Sequence, residues 1–153
     1  MKLWALARAV RGFQRYLWRI CGSGPYLIKG RGWALTREKL VATAARSFVI
    51  IVDKSKLVER FGRGSLPVEV VPFLWEDTAR RLRALGTRCE LRQRGTPPYV
   101  TDNDNLILDL TLEAPIADPV DIAARLKGTL GAVEHGQFIG LTRACMAAGR
   151  VFG

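Results

Sequence analysis

The chain has 153 residues, of which 48% are hydrophobic and 25% charged, a composition that is typical of a folded globular domain and excludes wholesale disorder. Its formal charge is +10, but eight basic residues and no acidic residue precede Glu38, so the body of the chain is nearly neutral. Three widely spaced cysteines and one histidine exclude a zinc-finger-type site and argue against a disulfide framework. No apolar run approaches the ~18 residues of a membrane helix, and we expect a cytoplasmic protein.

The leading segment, residues 2–20, has the pattern of an amphipathic helix with an apolar face and a row of four arginines. A glycine- and proline-rich stretch, residues 21–25, is expected to end it. Two interpretations are open for this helix. It either packs its apolar face against an exposed sheet, which we favour, or binds nucleic acid or an anionic membrane through its arginines.

The next segment combines a helix with a strand of the kind found inside parallel sheets. After the short apolar run Tyr26-Leu-Ile28, residues 29–32 form a glycine turn and residues 33–46 read as a helix. Residues 48–52 are a continuous apolar, largely β-branched run, which is typical of a strand buried on both faces. This succession predicts an α/β layer.

From about Ser65 the predicted elements follow the order β-α-β-β-α-β, with Asp118 as the expected N-cap of the second helix. That order is typical of the split βαβ, or ferredoxin-like, unit. The predicted elements are strand 67–73, helix 76–85, strand 89–94, strand 106–112, helix 119–130 and strand 132–138. We therefore predict an α/β chain with a partial Rossmann-like parallel sheet followed by a ferredoxin-like α+β domain. The expected divisions are a basic segment 1–25, the Rossmann-like remnant 26–65, the ferredoxin-like domain 66–138 and a C-terminal return segment 139–153.

Glu38 is the most informative residue for function. In a helix over 34–45 it falls in the middle of the apolar face, where a lone charged carboxylate would be costly to bury. Either it serves as a general base, or it forms a structural ion pair with a core-facing lysine or arginine, the alternative that the pattern alone favours.

Basic residues and glycines flank this helix and the buried strand. The turn Lys29-Gly30-Arg31-Gly32 can hold an anion or oxyanion, although a plain turn is the simpler interpretation. Lys56 follows the buried strand, where ligands bind in open α/β sheets, or it is an ordinary loop lysine. His135 has no second histidine beside it, so we assign it a structural or surface role rather than a metal site.

Several stretches, read in order from about residue 26 to residue 140, resemble the ribose-5-phosphate isomerase type A family. The segments that carry this resemblance are LIKGRG, ALTREK, FVIIVDKSK, LPVEV, TDN with LILD, and VEHG. The resemblance implies interconversion of ribose 5-phosphate and ribulose 5-phosphate without a metal or organic cofactor, and a homo-oligomer.

The resemblance also implies residue roles. It makes Glu38 the base that moves a proton between C2 and C1 of the sugar phosphate through an enediolate, and Lys29 the group that stabilises the oxyanion. Gly30, Arg31 and Gly32 occupy the turn that approaches the sugar, with Arg31 in place of a family glycine, and Lys56 matches a lysine on the phosphate side.

An alternative function follows from differences between this chain and the family. The family's GTGST phosphate loop and DGADE segment have no counterpart before LIKG, and Asp104 stands where the family's TDNGN has glycine. These differences are compatible with an inactive family remnant that binds phosphorylated ligands or protein partners.

Overall fold

A computed structural model describes residues 19–21, 26–30, 34–46, 48–52, 57–58, 65–112, 116–141, 144–147 and 150–152. The described residues form a mixed α/β structure, as the sequence predicts. The helices are α1 (Leu35–Ala44), α2 (Trp75–Arg83) and α3 (Pro119–Lys127). The strands are β1 (Arg19–Cys21), β2 (Tyr26–Ile28), β3 (Val49–Val52), β4 (Leu57–Val58), β5 (Ser65–Val70), β6 (Thr87–Leu91), β7 (Leu106–Leu112), β8 (Ala132–His135), β9 (Gln137–Ile139), β10 (Ala144–Ala147) and β11 (Arg150–Phe152). Within these segments no helix has the length and apolar character that crossing a membrane requires.

The most extensive sheet among the described residues is four-stranded and antiparallel, in the order β6-β7-β5-β8. Its elements follow one another along the chain as β5, α2, β6, β7, α3 and β8, which is the predicted β-α-β-β-α-β order. Alternate side chains of β5 and β7 point to one face, where they meet α2 and α3. The core on this face is fully buried and includes Leu66, Val68, Val70, Leu82, Leu108, Leu110 and Leu126.

A second core lies on the opposite face of the same sheet and joins it to α1. Ile107 projects from β7 to this side and packs with Leu35 of α1 and Phe138 of β9, all three at 0% exposure. Leu27, Ala42, Ile50 and Tyr99 complete the cluster. This second core places the first turn of α1 directly over the middle of β5, and the candidate site is built there.

The predicted strand 132–138 is wrong as a single element, because it divides at Gly136 into two strands of different sheets. β8 pairs with β5, whereas β9 pairs antiparallel with β2. At the division, the Gly136 N–H donates to the Pro67 carbonyl at 2.8 Å, and its own carbonyl accepts from the Lys29 N–H at 2.7 Å. A Cβ at Gly136 would overlap the Lys29 carbonyl oxygen and lie 2.7 Å from Pro67 Cγ. The close approach of three chain segments therefore requires a glycine at this point.

The strands around residues 20–58 form mixed pairs rather than one parallel sheet. β3 pairs in parallel with β10, and β1 pairs in parallel with β4. β1 and β9 flank β2, and both pairings are antiparallel. The predicted helix 2–20 is wrong at Arg19 and Ile20, which lie in β1, and the rest of it falls outside the described residues.

Other predicted boundaries move by a few residues. The strand predicted over 67–73 is Ser65–Val70, since Pro72 and the residues after it form a turn into α2. The strand predicted over 89–94 begins and ends earlier, at Thr87 and Leu91, and the three predicted helices are each shorter than expected. The cap of α3 is confirmed, because the Asp118 carboxylate accepts from the N–H groups of Val120 and Asp121.

Candidate active site

An ion pair between Lys29 and Glu38 lies at the centre of the site, with Nζ and Oε2 3.2 Å apart. Both side chains are largely buried, with 9% and 17% of their surfaces exposed. Glu38 therefore faces inward beside the glycine turn, as the helical pattern predicts. A general base and a structural ion pair would share this arrangement, so the pair by itself does not choose between the two interpretations.

Glu38 reaches this position because α1 lies on the second core. Leu35 and Ala42 bury the adjoining face of the helix, and the Glu38 N–H donates to the Ala34 carbonyl at 2.7 Å as α1 begins. Ala34, the N-cap residue, has no side chain able to cap the helix. The start of α1 must therefore be held by groups from other parts of the chain.

Lys29 directly follows the end of β2. Its backbone N–H is held by Gly136, and its Nζ lies 5.5 Å from the centre of the fully buried Phe138 ring. Burial lowers the pKa of Lys29 from 10.5, and the charge and hydrogen bond of Glu38 offset part of this effect. The ammonium group is thus held in a site where positive charge is costly and where a neighbouring negative charge stabilises it strongly.

Gly30 continues from Lys29 in a backbone conformation that favours glycine, with φ +102°. A Cβ there would lie 2.6 Å from Leu35 Cδ1 and 2.9 Å from Pro67 Cγ. The Gly30 carbonyl accepts from Arg92 Nη1 at 2.9 Å. The same guanidinium binds Asp109 through two hydrogen bonds of 2.6 and 2.7 Å. Arg92 therefore ties the turn that carries Lys29 to β7 in the neighbouring sheet.

Glu69 is a charged residue of the site that the sequence did not single out. It lies in the middle of β5 with 0% exposure, on the face covered by α1. Its Oε2 accepts from the Thr36 N–H at 3.2 Å and from the Thr36 hydroxyl at 2.7 Å. Its Oε1 accepts from the side chains of Thr101, Asn103 and Asn105 at 2.9 to 3.3 Å. All five hydrogen bonds are donated to Glu69, as an ionised carboxylate requires.

These hydrogen bonds keep Glu69 charged although it is buried. Burial alone would raise the pKa of its carboxyl, but the hydrogen bonds outweigh burial and hold the pKa below its usual value. In order of size they come from Asn105, Thr36, Asn103 and Thr101. A glutamate with apolar neighbours in a predicted strand does not by itself indicate a buried, hydrogen-bonded carboxylate. The available signal was one glutamate inside the run Pro67-Val-Glu-Val70, together with a downstream cluster of Thr and Asn side chains.

The loop over residues 101–105 also contacts α1 from outside. Arg37 donates to Asn103 Oδ1 at 2.9 Å and to the Asp102 carbonyl at 2.6 Å, and it forms an ion pair with the Asp102 carboxylate. Asp104 has φ +59°, a left-handed conformation in which glycine is favoured and aspartate is tolerated. Asp104 is thus accommodated within the loop.

A second ion pair, between Lys39 and Glu134, lies beside the first. Lys39 Nζ is 2.7 Å from Glu134 Oε1 and 2.8 Å from the His135 carbonyl oxygen, and it approaches the Phe138 ring to 5.3 Å. Lys127 reaches the other Glu134 oxygen at 3.0 Å. His135 is buried in this cluster, in agreement with a structural role.

The remaining predicted site residues are not part of the described structure. Arg31 and Gly32 follow Gly30 directly, and Lys56 precedes β4, but all three lie outside the described residues. Within the described segments, no group of three His, Cys, Asp or Glu side chains comes together as metal ligands. The groups that the structure brings together are therefore Lys29, Gly30 and Glu38.

The arrangement suits proton transfer at a carbon next to an oxygen. A carboxylate can remove the proton, and an adjacent ammonium group can stabilise the negative charge that then develops on the oxygen. Stabilisation of this kind is strongest when the groups are fixed in advance and shielded from water, as Lys29 and Glu38 are.

The chain is similar to known proteins of one family. Residues 23–151 match the family model described as ribose 5-phosphate isomerase A (phosphoriboisomerase A). The chain is 49% identical over 125 residues to ribose-5-phosphate isomerase A of Synechococcus sp. (strain JA-3-3Ab), covering 80% of this chain and 54% of that protein. The solved ribose 5-phosphate isomerase from Plasmodium falciparum is 35% identical with a TM-score of 0.80, over 88% of this chain and 60% of that one. The enzyme from Methanocaldococcus jannaschii is 29% identical with a TM-score of 0.81, over 88% and 61%.

The chain spans about half the length of the curated relatives that it matches. The match to the family model nevertheless covers most of this chain, and it includes every residue of the Lys29–Glu38 site. This protein belongs to the ribose-5-phosphate isomerase A family.

Proposed function

We propose that this chain catalyses the interconversion of ribose 5-phosphate and ribulose 5-phosphate. The observation that carries the proposal is the buried Lys29–Glu38 pair in a member of this family. In the forward direction the Glu38 carboxylate removes the proton from C2 of the open-chain aldose. The electron pair of the broken C2–H bond forms the C1–C2 double bond of an enediolate, whose negative charge lies on the C1 oxygen. The hydroxyl proton of the C2 oxygen then passes to the C1 oxygen, and the protonated carboxyl returns its proton to C1, so that C2 becomes the carbonyl carbon of the ketose.

Lys29 supplies the positive charge that this reaction needs. As the C2 proton leaves, negative charge develops on the oxygen at C1, and an ammonium group within hydrogen-bond reach stabilises it. Lys29 is largely buried, and burial strengthens the attraction between its ammonium group and a new negative charge in the site. We further propose that Gly30, Arg31 and Gly32 contact the sugar and that Lys56 contacts the phosphate.

We extend the proposal to the architecture. The sheet β6-β7-β5-β8 with α2 and α3 supports a ferredoxin-like domain, because its strand order and antiparallel pairing are those of the split βαβ unit. The parallel pairing of β3 with β10 supports a Rossmann-like remnant. The divisions 1–25, 26–65, 66–138 and 139–153 and the homo-oligomer remain predictions.

The proposal is tested by assaying the purified chain for conversion of ribose 5-phosphate and by replacing Glu38 with Gln. The substitution keeps size and removes the base, so kcat should fall by roughly 10²- to 10⁴-fold. Glu134→Gln is the matched control, because it removes a largely buried carboxylate that also pairs with a lysine of the cluster. We expect this control to keep kcat within about tenfold of the parent.

Two results would contradict the proposal. Equal turnover by the parent and Glu38→Gln would assign the pair a structural role. Binding of ribose 5-phosphate without turnover, seen as a rise in Tm at millimolar ligand, would favour the inactive, ligand-binding alternative. A reaction run in D₂O adds a direct readout, because a base that exchanges with solvent leaves deuterium at C1 of the product.

A further inference from the structure

We propose that Glu69 is a positioning residue, whose buried carboxylate caps α1 from the neighbouring sheet and thereby fixes Glu38 against Lys29. The inference deepens the proposed function and rests on it for its effect on catalysis. Its structural part, the capping of α1 by Glu69, can be measured whether or not the chain is active.

The first line of support is the unfilled cap of α1. The N-terminal N–H groups of a helix lack partners within the helix, and a side chain of the N-cap residue normally accepts from one of them. Ala34 has no such group. Instead, the Thr36 N–H donates to Glu69, a residue 33 positions away on β5. A carboxylate at this end of a helix also interacts favourably with the helix dipole.

The second line of support is that Glu69 reaches α1 by an additional route. Its other carboxylate oxygen binds Asn103 and Asn105, together with Thr101, and so orders the 101–105 loop. That loop holds Arg37, the next residue of α1 after Thr36. Both carboxylate oxygens therefore act on the turn of the helix that presents Glu38.

The distribution of donors and acceptors explains why a carboxylate is needed. All five polar groups around the Glu69 carboxylate donate hydrogen bonds to it. In Glu69→Gln an NH₂ group, which also donates, replaces one carboxylate oxygen, so it must face either the Thr36 donors or the donors of the 101–105 loop. The Thr36 N–H cannot reverse its role. The loop amides can rotate, but doing so breaks the arrangement that holds Arg37. Whichever way the glutamine side chain turns, hydrogen bonds that hold the start of α1 are lost.

The experiment compares Glu69→Gln with Thr87→Val. The control also removes a buried polar interaction, since the Thr87 hydroxyl donates to the Leu82 carbonyl at 2.9 Å, but it does so on the face of the sheet away from α1. Both substitutions should lower Tm by roughly 5–10 °C. Only Glu69→Gln should speed amide hydrogen exchange at Thr36 and Glu38, by about tenfold.

The catalytic readout separates positioning from general stability. For Glu69→Gln we expect kcat to fall by about tenfold or more with KM within about threefold of the parent, because a displaced base weakens the transition state more than substrate binding. Thr87→Val should change neither constant. If Glu69→Gln does not fold, Thr36→Val removes the 2.7 Å hydroxyl contact alone and should show the same pattern, with kcat reduced about threefold.

The outcomes are distinct. Faster exchange at Thr36 and Glu38 with reduced kcat supports the proposal. Faster exchange in a chain whose parent form is inactive supports capping by Glu69 and contradicts the proposed function instead. Exchange in Glu69→Gln that matches Thr87→Val, or an unchanged kcat in an active chain, overturns the positioning role.

Discussion

Protonation of His135 should destabilise the fold over a pH range in which few other side chains titrate. The ring is 8% exposed, and its pKa is lowered from 6.5 to about 4. Burial is the main cause. The charges of Lys39 on α1 and Lys127 on α3 lower the pKa further, while Glu134 on the same strand opposes them. His135 Nδ1 also accepts from the Gln137 N–H at 3.3 Å, a hydrogen bond that the protonated ring cannot accept.

The direction and the size of this pH effect on stability follow from the pKa of His135 in the unfolded chain and in the folded chain. The unfolded chain binds the proton with a pKa near 6.5 and the folded chain with a pKa near 4, so stability is complete above pH 7 and falls as the pH drops. This linkage gives a loss of about 2 kcal/mol in the free energy of unfolding between pH 7.5 and pH 5. The carboxyls of Glu69 and Glu134 contribute little there, because even their ordinary pKa of 4.5 lies below pH 5 and the folded chain lowers it further, so both remain largely ionised in the folded and the unfolded chain.

The assay is urea unfolding at a series of pH values between 7.5 and 5, for the parent and for His135→Asn. Asparagine retains an acceptor near the position of Nδ1 and cannot be protonated. His135 is the single histidine of the chain, so no other imidazole contributes to the slope. The parent should lose about 2 kcal/mol and the variant less than about 0.5 kcal/mol across this range. Parallel slopes for the two proteins would refute the assignment of the titrating group.

Two further substitutions test the contacts around Lys29. Arg92→Lys should lower the free energy of unfolding by about 1–3 kcal/mol, measured in urea, because lysine cannot bind Asp109 through two hydrogen bonds and Gly30 at once; an unchanged midpoint would contradict this. Gly136→Ala should cost about 1–3 kcal/mol and slow ribose 5-phosphate conversion, because the added methyl group overlaps the Lys29 carbonyl. Stability and rates equal to those of the parent would show that this close approach is not required.

The sequence predicted best where the signal is local. β7 has the predicted bounds, Leu106–Leu112, because its leucines alternate with residues of the other face. Asp118 caps α3 as expected, since the cap depends only on the residues that follow it. Glu38 faces inward because helical spacing alone places it beside Leu35 and Ala42.

The predictions failed where one segment depends on a distant one. Gly136 divides a run that reads as one strand, and the reason lies in the approach of Lys29 and Pro67, which no local pattern records. In the alternating pattern of β5, Glu69 occupies a position that would face solvent if that side of the sheet were uncovered. Its burial follows from α1 covering that face, and its partners are more than 30 residues away.

The energetics of the site agree with the catalytic role that we propose for the Lys29–Glu38 pair. Removing two charges from water costs more than a single ion pair usually returns, so a buried pair is a weak source of stability. Here the pKa of Lys29 is lowered despite its partner, which means that burial outweighs the attraction of Glu38. At the same time, a buried carboxylate, Glu69, and a guanidinium, Arg92, hold the two segments that carry the pair. A buried pair whose two segments are both fixed by other residues agrees with the preorganised proton-transfer site that we propose.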